Sequence, residues 1–267
     1  MSTPSSPHWS GLYERRDRLG PPLRPDRDVV VAYKSLLTGH STHVLLFGVT
    51  PALADLGSKV VAVDKNDAAI ARAWPGNNDR RRVHQGDWLA LPFPARSFSA
   101  ALGDGCLNAL PHPMGYAALY EQLERVLAPG SPFITRIYMA PDKSESVASV
   151  MAQAMAGRID VFNAFKLRIA MAAAAERGSP NIEVRLIRDA FNRVCPDRPA
   201  LGAAARWDAE TIAMFDVYEN SEVIYSFPTL AELRATISAA FVDVRVVAAG
   251  AYALAERCPL VVMKRAQ

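Results

Sequence analysis

Short apolar runs alternate with amphipathic stretches from Thr42 onward, and this alternation is the main signal in the chain. Thr42-His-Val-Leu-Leu-Phe-Gly48 is an apolar run ending in glycine, the mark of a strand buried on both faces. Lys59-Val-Val-Ala-Val-Asp64 repeats the pattern and ends in a carboxylate. Arg82–Asp87 reads as a third, less regular strand, Phe98–Asp104 as a fourth and Ser131–Tyr138 as a fifth. Between them, Thr50-Pro51 offers an N-cap hydroxyl and a first-turn proline for a short helix closed by Gly57. Asn66 caps a helix through Trp74, and Tyr116–Leu127 is amphipathic up to Pro129-Gly130. Strands alternating with helices imply a parallel sheet with right-handed crossovers.

The alternation breaks at Pro141. Helical spacing then dominates: Val147–Ala156, Asp160–Glu176, Val184–Cys195 and Asp208–Phe215. Thr229-Leu-Ala-Glu232 is a capping box for a helix to Ala240, and Val242–Val247 and Leu260–Lys264 are closing strands spaced to pair antiparallel. The expected organisation is an N-terminal arm or lid over 1–28, a Rossmann-like core over 29–140, a mainly helical substrate cap over 141–227, and a helix with a strand pair completing the sheet over 228–267. A short helix is expected from Asp28 to Leu37. The arm is polar and proline-rich, and a disordered tail is the competing reading. Because the cap follows the fifth strand, it should sit over the carboxyl ends of the sheet, where open α/β sheets bind ligands.

The 267 residues carry 30 basic and 27 acidic side chains, a net charge of +3 without a long cationic run. That argues against a nucleic-acid surface. No apolar run is long enough to cross a bilayer, and no leader pattern opens the chain, so a cytoplasmic protein without membrane attachment is expected. Cys106, Cys195 and Cys258 are isolated, and His40 and His43 have no ligand partners at metal spacing, so no metal site is expected. No Gly-x-Ser-x-Gly elbow occurs, and Cys106 reads as a packing residue.

Chemistry gathers in four loops at the carboxyl ends of the first four strands: Phe47-Gly48-Val49-Thr50-Pro51, Asp64-Lys65, Gly86-Asp87-Trp88 and Gly103-Asp104-Gly105-Cys106-Leu107. Gly48 lets a ligand approach the backbone. Asp64 stands where a carboxylate can accept both ribose hydroxyls, Asp87 can accept from an adenine amine, and Trp88 offers an apolar face. A dinucleotide would need G-x-G-x-x-G, which is absent, and P-loop spacing is absent too. An adenosine cofactor without phosphates fits better.

This ordered series resembles the class I S-adenosylmethionine-dependent methyltransferases. Val44–Pro51 resembles the first motif of that family, Val60–Asp64 its ribose-binding acid, and Gly86-Asp87-Trp88 its adenine-side acid. Phe93–Leu102 resembles the approach to the fourth strand, and Leu123–Gly130 the helix end before the fifth. The resemblance covers a little over half the chain and implies a seven-stranded, mostly parallel sheet whose last strand is antiparallel. The first motif departs from the usual form, with Thr50 and Pro51 where later glycines would lie.

The resemblance implies S-adenosylmethionine as cofactor, held by Tyr13, Phe47, Gly48, Val49, Thr50, Asp64, Lys65, Gly86, Asp87, Trp88, Gly103 and Asp104. The expected reaction is methyl transfer to a small-molecule O, N or S centre. Asp104 and His112 are the candidate bases. Arg136, Tyr218 and Tyr225 are assigned to acceptor recognition in the cap, and a homodimer is compatible with the sequence. The alternatives are a non-catalytic adenosine-binding partner module and an NAD-dependent oxidoreductase.

Overall fold

The structure is a computed structural model and describes residues 7–267. Residues 1–6 of the expected arm lie outside it. The core strands are β1 (His43–Phe47), β2 (Lys59–Asp64), β3 (Arg81–Gln85), β4 (Ala100–Asp104) and β5 (Pro132–Arg136). A separate antiparallel pair is formed by β6 (Asn181–Glu183) and β7 (Ile224–Ser226), and β8 (Phe241–Val247) and β9 (Leu260–Arg265) rejoin the main sheet. Its order is β3-β2-β1-β4-β5-β9-β8, with β1 to β5 parallel and β9 antiparallel to both β5 and β8. The Rossmann-like sheet expected from the sequence is therefore present.

Helices cover both faces of the sheet and build the insertion. Those described are α1 (Pro7–Glu14), α2 (Arg27–Leu36), α3 (Asp67–Ala73), α4 (Met114–Val126), α5 (Val147–Met155), α6 (Phe162–Glu176), α7 (Val184–Val194), α8 (Arg198–Ala205), α9 (Ala209–Ile212) and α10 (Leu230–Thr236). Alternate residues of each strand feed opposite layers. Leu45, Phe47 and Phe133 pack with Leu119 and Leu123 of α4, while Val44, Leu46 and Ile134 pack with Val29 and Tyr33 of α2. The apolar runs of β1, β4 and β5 are buried because both faces are covered.

Helix starts follow their local chemistry. Asn66 and Asp26 cap α3 and α2 by accepting from Ala69 and Val29 amides, and Thr229 with Glu232 forms the capping box of α10. Thr50 is a correction: the segment after β1 is a 3₁₀ turn over Pro51–Leu53, and the Thr50 side chain makes no capping bond. A single turn needs no hydroxyl cap, which leaves Thr50 facing the site.

The insertion has its own core. α6 is buried on nearly every side, as the central helix of a bundle must be. Phe165, Phe191, Phe215 and Trp207 interlock around it, with Phe191 and Phe215 stacked at 3.9 Å. Two elements here escape the sequence pattern, α8 and the β6–β7 pair. β7 fastens the insertion to the core through Asn108, which donates to the carbonyls of Tyr138 and Ser226 while its Oδ1 accepts from the Tyr138 amide. Both N–H donors and the carbonyl oxygen of that buried amide are engaged on the seam between β4, β5 and β7.

Candidate cofactor and acceptor site

A cavity of about 240 Å³ opens at the carboxyl ends of β1 and β4. Three parts of the chain wall it. The strand tips contribute Val49, Thr50, Asp104 and Gly105; the arm contributes Trp9, Tyr13, Arg16 and Arg24; the insertion contributes Lys166, Tyr218 and Tyr225. The arm lies across the core and the insertion, where Asn163 donates to the Arg18 and Gly20 carbonyls and Arg18 pairs with Asp208 and Glu210 of the α9 segment. On the other side, Arg16 donates to the Arg72 carbonyl of α3, and Arg72 pairs with Glu14.

At the tip of β1, Gly48 adopts φ +84°, a conformation that favours glycine. Its α-carbon faces Asp64 and Trp88, since a Cβ there would lie 3.8 Å from Asp64 Oδ2 and 3.7 Å from the Trp88 ring. Asp64, at the tip of β2, is 8% exposed and accepts from the Asn66 amide at 2.9 Å. Burial pushes its pKa up to about 6, so the carboxylate is poorly solvated and gains from any hydroxyl brought to it. Tyr13 is the arm's contribution. Burial, with Asp64 and then Asp104 acting on it, holds its phenol well above the ordinary range, so it stays protonated and able to donate.

The expected residues do not all meet at this cavity. Trp88 donates from Nε1 to the Val63 carbonyl at 2.6 Å and packs edge-on against Phe47. Asp87 is exposed, and its Oδ1 accepts from the Leu89 amide, capping its own turn. Lys65 is exposed too. Gly86 packs against His84 and Val63, so its lack of a Cβ serves the β3 turn. Gly103 is a packing glycine: a Cβ there would stand 2.2 Å from Cys106 Sγ, and its carbonyl accepts from Tyr33. Cys106 is buried beside Thr135, and burial pushes its thiol up to about 12. The hollow therefore runs along β1, β4, arm and insertion, and the tips of β2 and β3 flank it.

Arg136, Asp104 and His112 are placed differently from their expected roles. Arg136 is the last residue of β5, not part of the insertion, and it is completely buried. Its guanidinium grips Asp104 with Nε–Oδ1 at 2.5 Å and Nη2–Oδ2 at 3.1 Å, so it is committed to a cross-strand pair and does not reach into the acceptor space. Asp104 lines the cavity, but both its oxygens are held by that fork, which makes it an oriented acceptor. His112 lies at the start of α4, edge-on to Tyr116, with its backbone bonded to Asn181, and it does not line the cavity. Tyr218 and Tyr225 do line it. Among the described residues, no three His, Cys, Asp or Glu side chains group as metal ligands.

Sequence reasoning missed Lys166 and His8. Lys166 is 2% exposed on the cavity wall, and His8 sits behind Tyr218 and Tyr225. Lys166 falls within an apolar helical stretch, and only its isolation there could have drawn notice.

Residues 48–135 match the family described as a methyltransferase domain. Over those residues, about a third of the chain, the core is similar to a methyltransferase domain. A curated relative, a sterol 24-C-methyltransferase of Gibberella zeae, is 30% identical over 82 residues, which is 29% of this chain and 21% of that protein. The chain thus matches about a fifth of the length of that relative. Among solved structures, a Rhodobacter sphaeroides protein named for the Zn-dependent alcohol dehydrogenases superposes with a TM-score of 0.59, covering 98% of this chain and 99% of its own at 12% identity. A chain of the Haloferax volcanii complex between the Trm112 methyltransferase activator and a methyltransferase gives 0.51, at 12% identity over 97% and 95%. A Nostoc punctiforme protein named as an O-methyltransferase also gives 0.51, at 11% identity over 98% and 62%. At such identities these neighbours share the fold alone. Within the matched stretch, the poorly solvated Asp64 carboxylate stands beside the Cβ-free backbone of Gly48.

Proposed function

We propose that the chain transfers a methyl group from S-adenosylmethionine to a small acceptor enclosed between arm, strand tips and insertion. The observation that carries this reading is the cavity, whose walls come from three segments distant in sequence and which opens at Val49 and Thr50, next along the chain from Gly48. A macromolecular acceptor would call for an open, basic face there. When bound, the cofactor supplies a methyl group already activated on a sulfonium centre. What remains for the chain is binding, alignment and exclusion of water.

Asp64 receives the ribose hydroxyls, and Thr50 offers a hydroxyl at the β1 tip. Tyr13 donates from the arm, Arg16 stands by for a carboxylate, and Asp104, fixed by Arg136, keeps a set direction. Trp9, Tyr218 and Tyr225 give the acceptor an apolar, flat-sided wall that holds out water.

Titration calorimetry with S-adenosylmethionine, S-adenosylhomocysteine and NAD tests the reading. Binding of the first two and not the third is expected, with Asp64→Ala weakening S-adenosylhomocysteine by about 1–3 kcal/mol. Binding of NAD alone would replace it with a redox reading. Cofactor binding without methyl transfer to any small molecule in cell extract would favour a non-catalytic module.

A further inference from the structure

Among the described residues, Lys166 on the insertion side of the cavity has no counter-charge. Lys166 of α6 donates from Nζ to the Met214 carbonyl at 3.0 Å, and the same atom lies 4.2 Å from the centre of the Tyr218 ring and 5.8 Å from that of Phe215. An ammonium has three donors. The carbonyl takes one, and the aromatic faces offset part of the desolvation cost. Among the described residues no carboxylate pairs with it, and the charge that acts on it is another cation, Arg15 of the arm. Burial and Arg15 bring its pKa down to about 7. His8, packed on the same tyrosines, is held near 4 by burial and by Lys166, so it is neutral and supplies no compensation.

Buried charges in proteins are ordinarily paired. An unpaired ammonium, 2% exposed and on the wall of a cavity, is where an entering anion would gain most. The surfaces beside it are flat and apolar, from Trp9, Tyr218, Tyr225 and Phe227. We infer that Lys166 anchors an acidic acceptor, a small molecule with a flat apolar body and a carboxylate or comparable oxyanion that the ammonium receives. This inference rests on the methyltransferase reading and narrows its substrate class. The cofactor carries a carboxylate as well, but the arm offers that group different cations. Arg16 and Arg24 line the cavity from the arm, with Arg16 fixed to α3 through the Arg72 carbonyl, whereas Lys166 belongs to the insertion.

The test is calorimetric titration of the full chain with benzoate, phenylacetate and 1-naphthoate, each against its primary amide, with and without S-adenosylhomocysteine. At least one acid is expected to bind about tenfold or more tightly than its amide, as a charge-assisted bond requires. Lys166→Met should erase that preference while leaving affinities for the amide and for S-adenosylhomocysteine unchanged, and Lys166→Arg should keep part of it. A wild-type chain that binds none of the acids, or binds acids and amides alike, overturns the inference without recourse to any variant. Loss of S-adenosylhomocysteine affinity in Lys166→Met would also overturn it, by giving the lysine to the cofactor's carboxylate. If S-adenosylhomocysteine fails to bind while the acid preference stands, the methyltransferase reading falls and the anion anchor survives.

Discussion

The buried pair Asp104–Arg136 shows what a residue type alone conceals. An aspartate at the end of a fourth strand reads as a site carboxylate, and an arginine after a fifth reads as a reader of anions. Their identity as a pair depends on register: Asp104 and Arg136 are direct neighbours across β4 and β5, which no spacing in one sequence reveals. Tyr138 and Tyr252 complete the surroundings of the guanidinium. Arg136→Met should therefore cost about 3–5 kcal/mol in urea unfolding, because Asp104 is left as an uncompensated buried charge, and Asp104→Leu in the same chain should restore most of it. Asp64, by contrast, ends β2 where the apolar run of the sequence puts it. Its raised pKa gives it a pH signature. With a folded pKa near 6 against an ordinary 3.8, the native state holds the proton more tightly than the unfolded chain, so this group's contribution to stability falls as pH rises from about 4 to 6. A ribose hydroxyl needs the ionised form. The affinity for S-adenosylhomocysteine should therefore be about tenfold weaker near pH 5 than near pH 7.5, measured by calorimetry, and Asp64→Asn should flatten that dependence.

Elements were read with uneven success, and the reasons are physical. Strands buried on both faces announce themselves as apolar runs, and β1, β2, β4 and β5 fall where expected. The helices of the insertion were found by apolar spacing, but α8 was overlooked although Asp197 caps it and Pro199 sits in its first turn. The β6–β7 pair has strands of three residues each, too short for any alternation to show. The arm carried least signal, since its helix α1 gains its order from other elements. Gly11 passes so close to Val217 that a Cβ would sit 3.3 Å from it, and His8 Nε2 lies 2.9 Å from the Tyr225 hydroxyl. The ion pairs of Arg18 with Asp208 and Glu210 are exposed, and pairs of that kind contribute only about 0–1 kcal/mol. Arg18→Ala should accordingly leave the melting temperature nearly unchanged. It should nevertheless speed S-adenosylhomocysteine dissociation several-fold in stopped-flow fluorescence, because the arm covers the cavity and the clasp sets how often it opens. An unchanged dissociation rate would show that the cofactor leaves by another route.

At the scale of the whole molecule, the decisive property is that one cavity is bounded by segments far apart in the chain. The core strands supply the tip residues Val49, Thr50, Asp104 and Gly105, and the arm and insertion close the space over them with Tyr13, Lys166 and Tyr225 on its walls. Neither cover is held to the core by a continuous sheet. The insertion is fastened by Asn108, by the Tyr116–Ser226 hydroxyl contact and by Glu145, which pairs with both Arg168 and Arg257. The arm is fastened by side chains to the insertion and to α3. A ligand that touches all three walls must couple them, because its binding energy is available only when the chamber is closed. Saturating S-adenosylhomocysteine at about a hundredfold over Kd should stabilise the protein by about 2.7 kcal/mol. Hydrogen exchange should then slow together in residues 9–25, 48–52, 104–109 and 166–170, although these belong to arm, core and insertion. Protection confined to 48–109 would mean that the core binds the nucleoside alone. The arm and insertion would then close only around the acceptor, and adding an acidic probe such as benzoate should extend the protection to them.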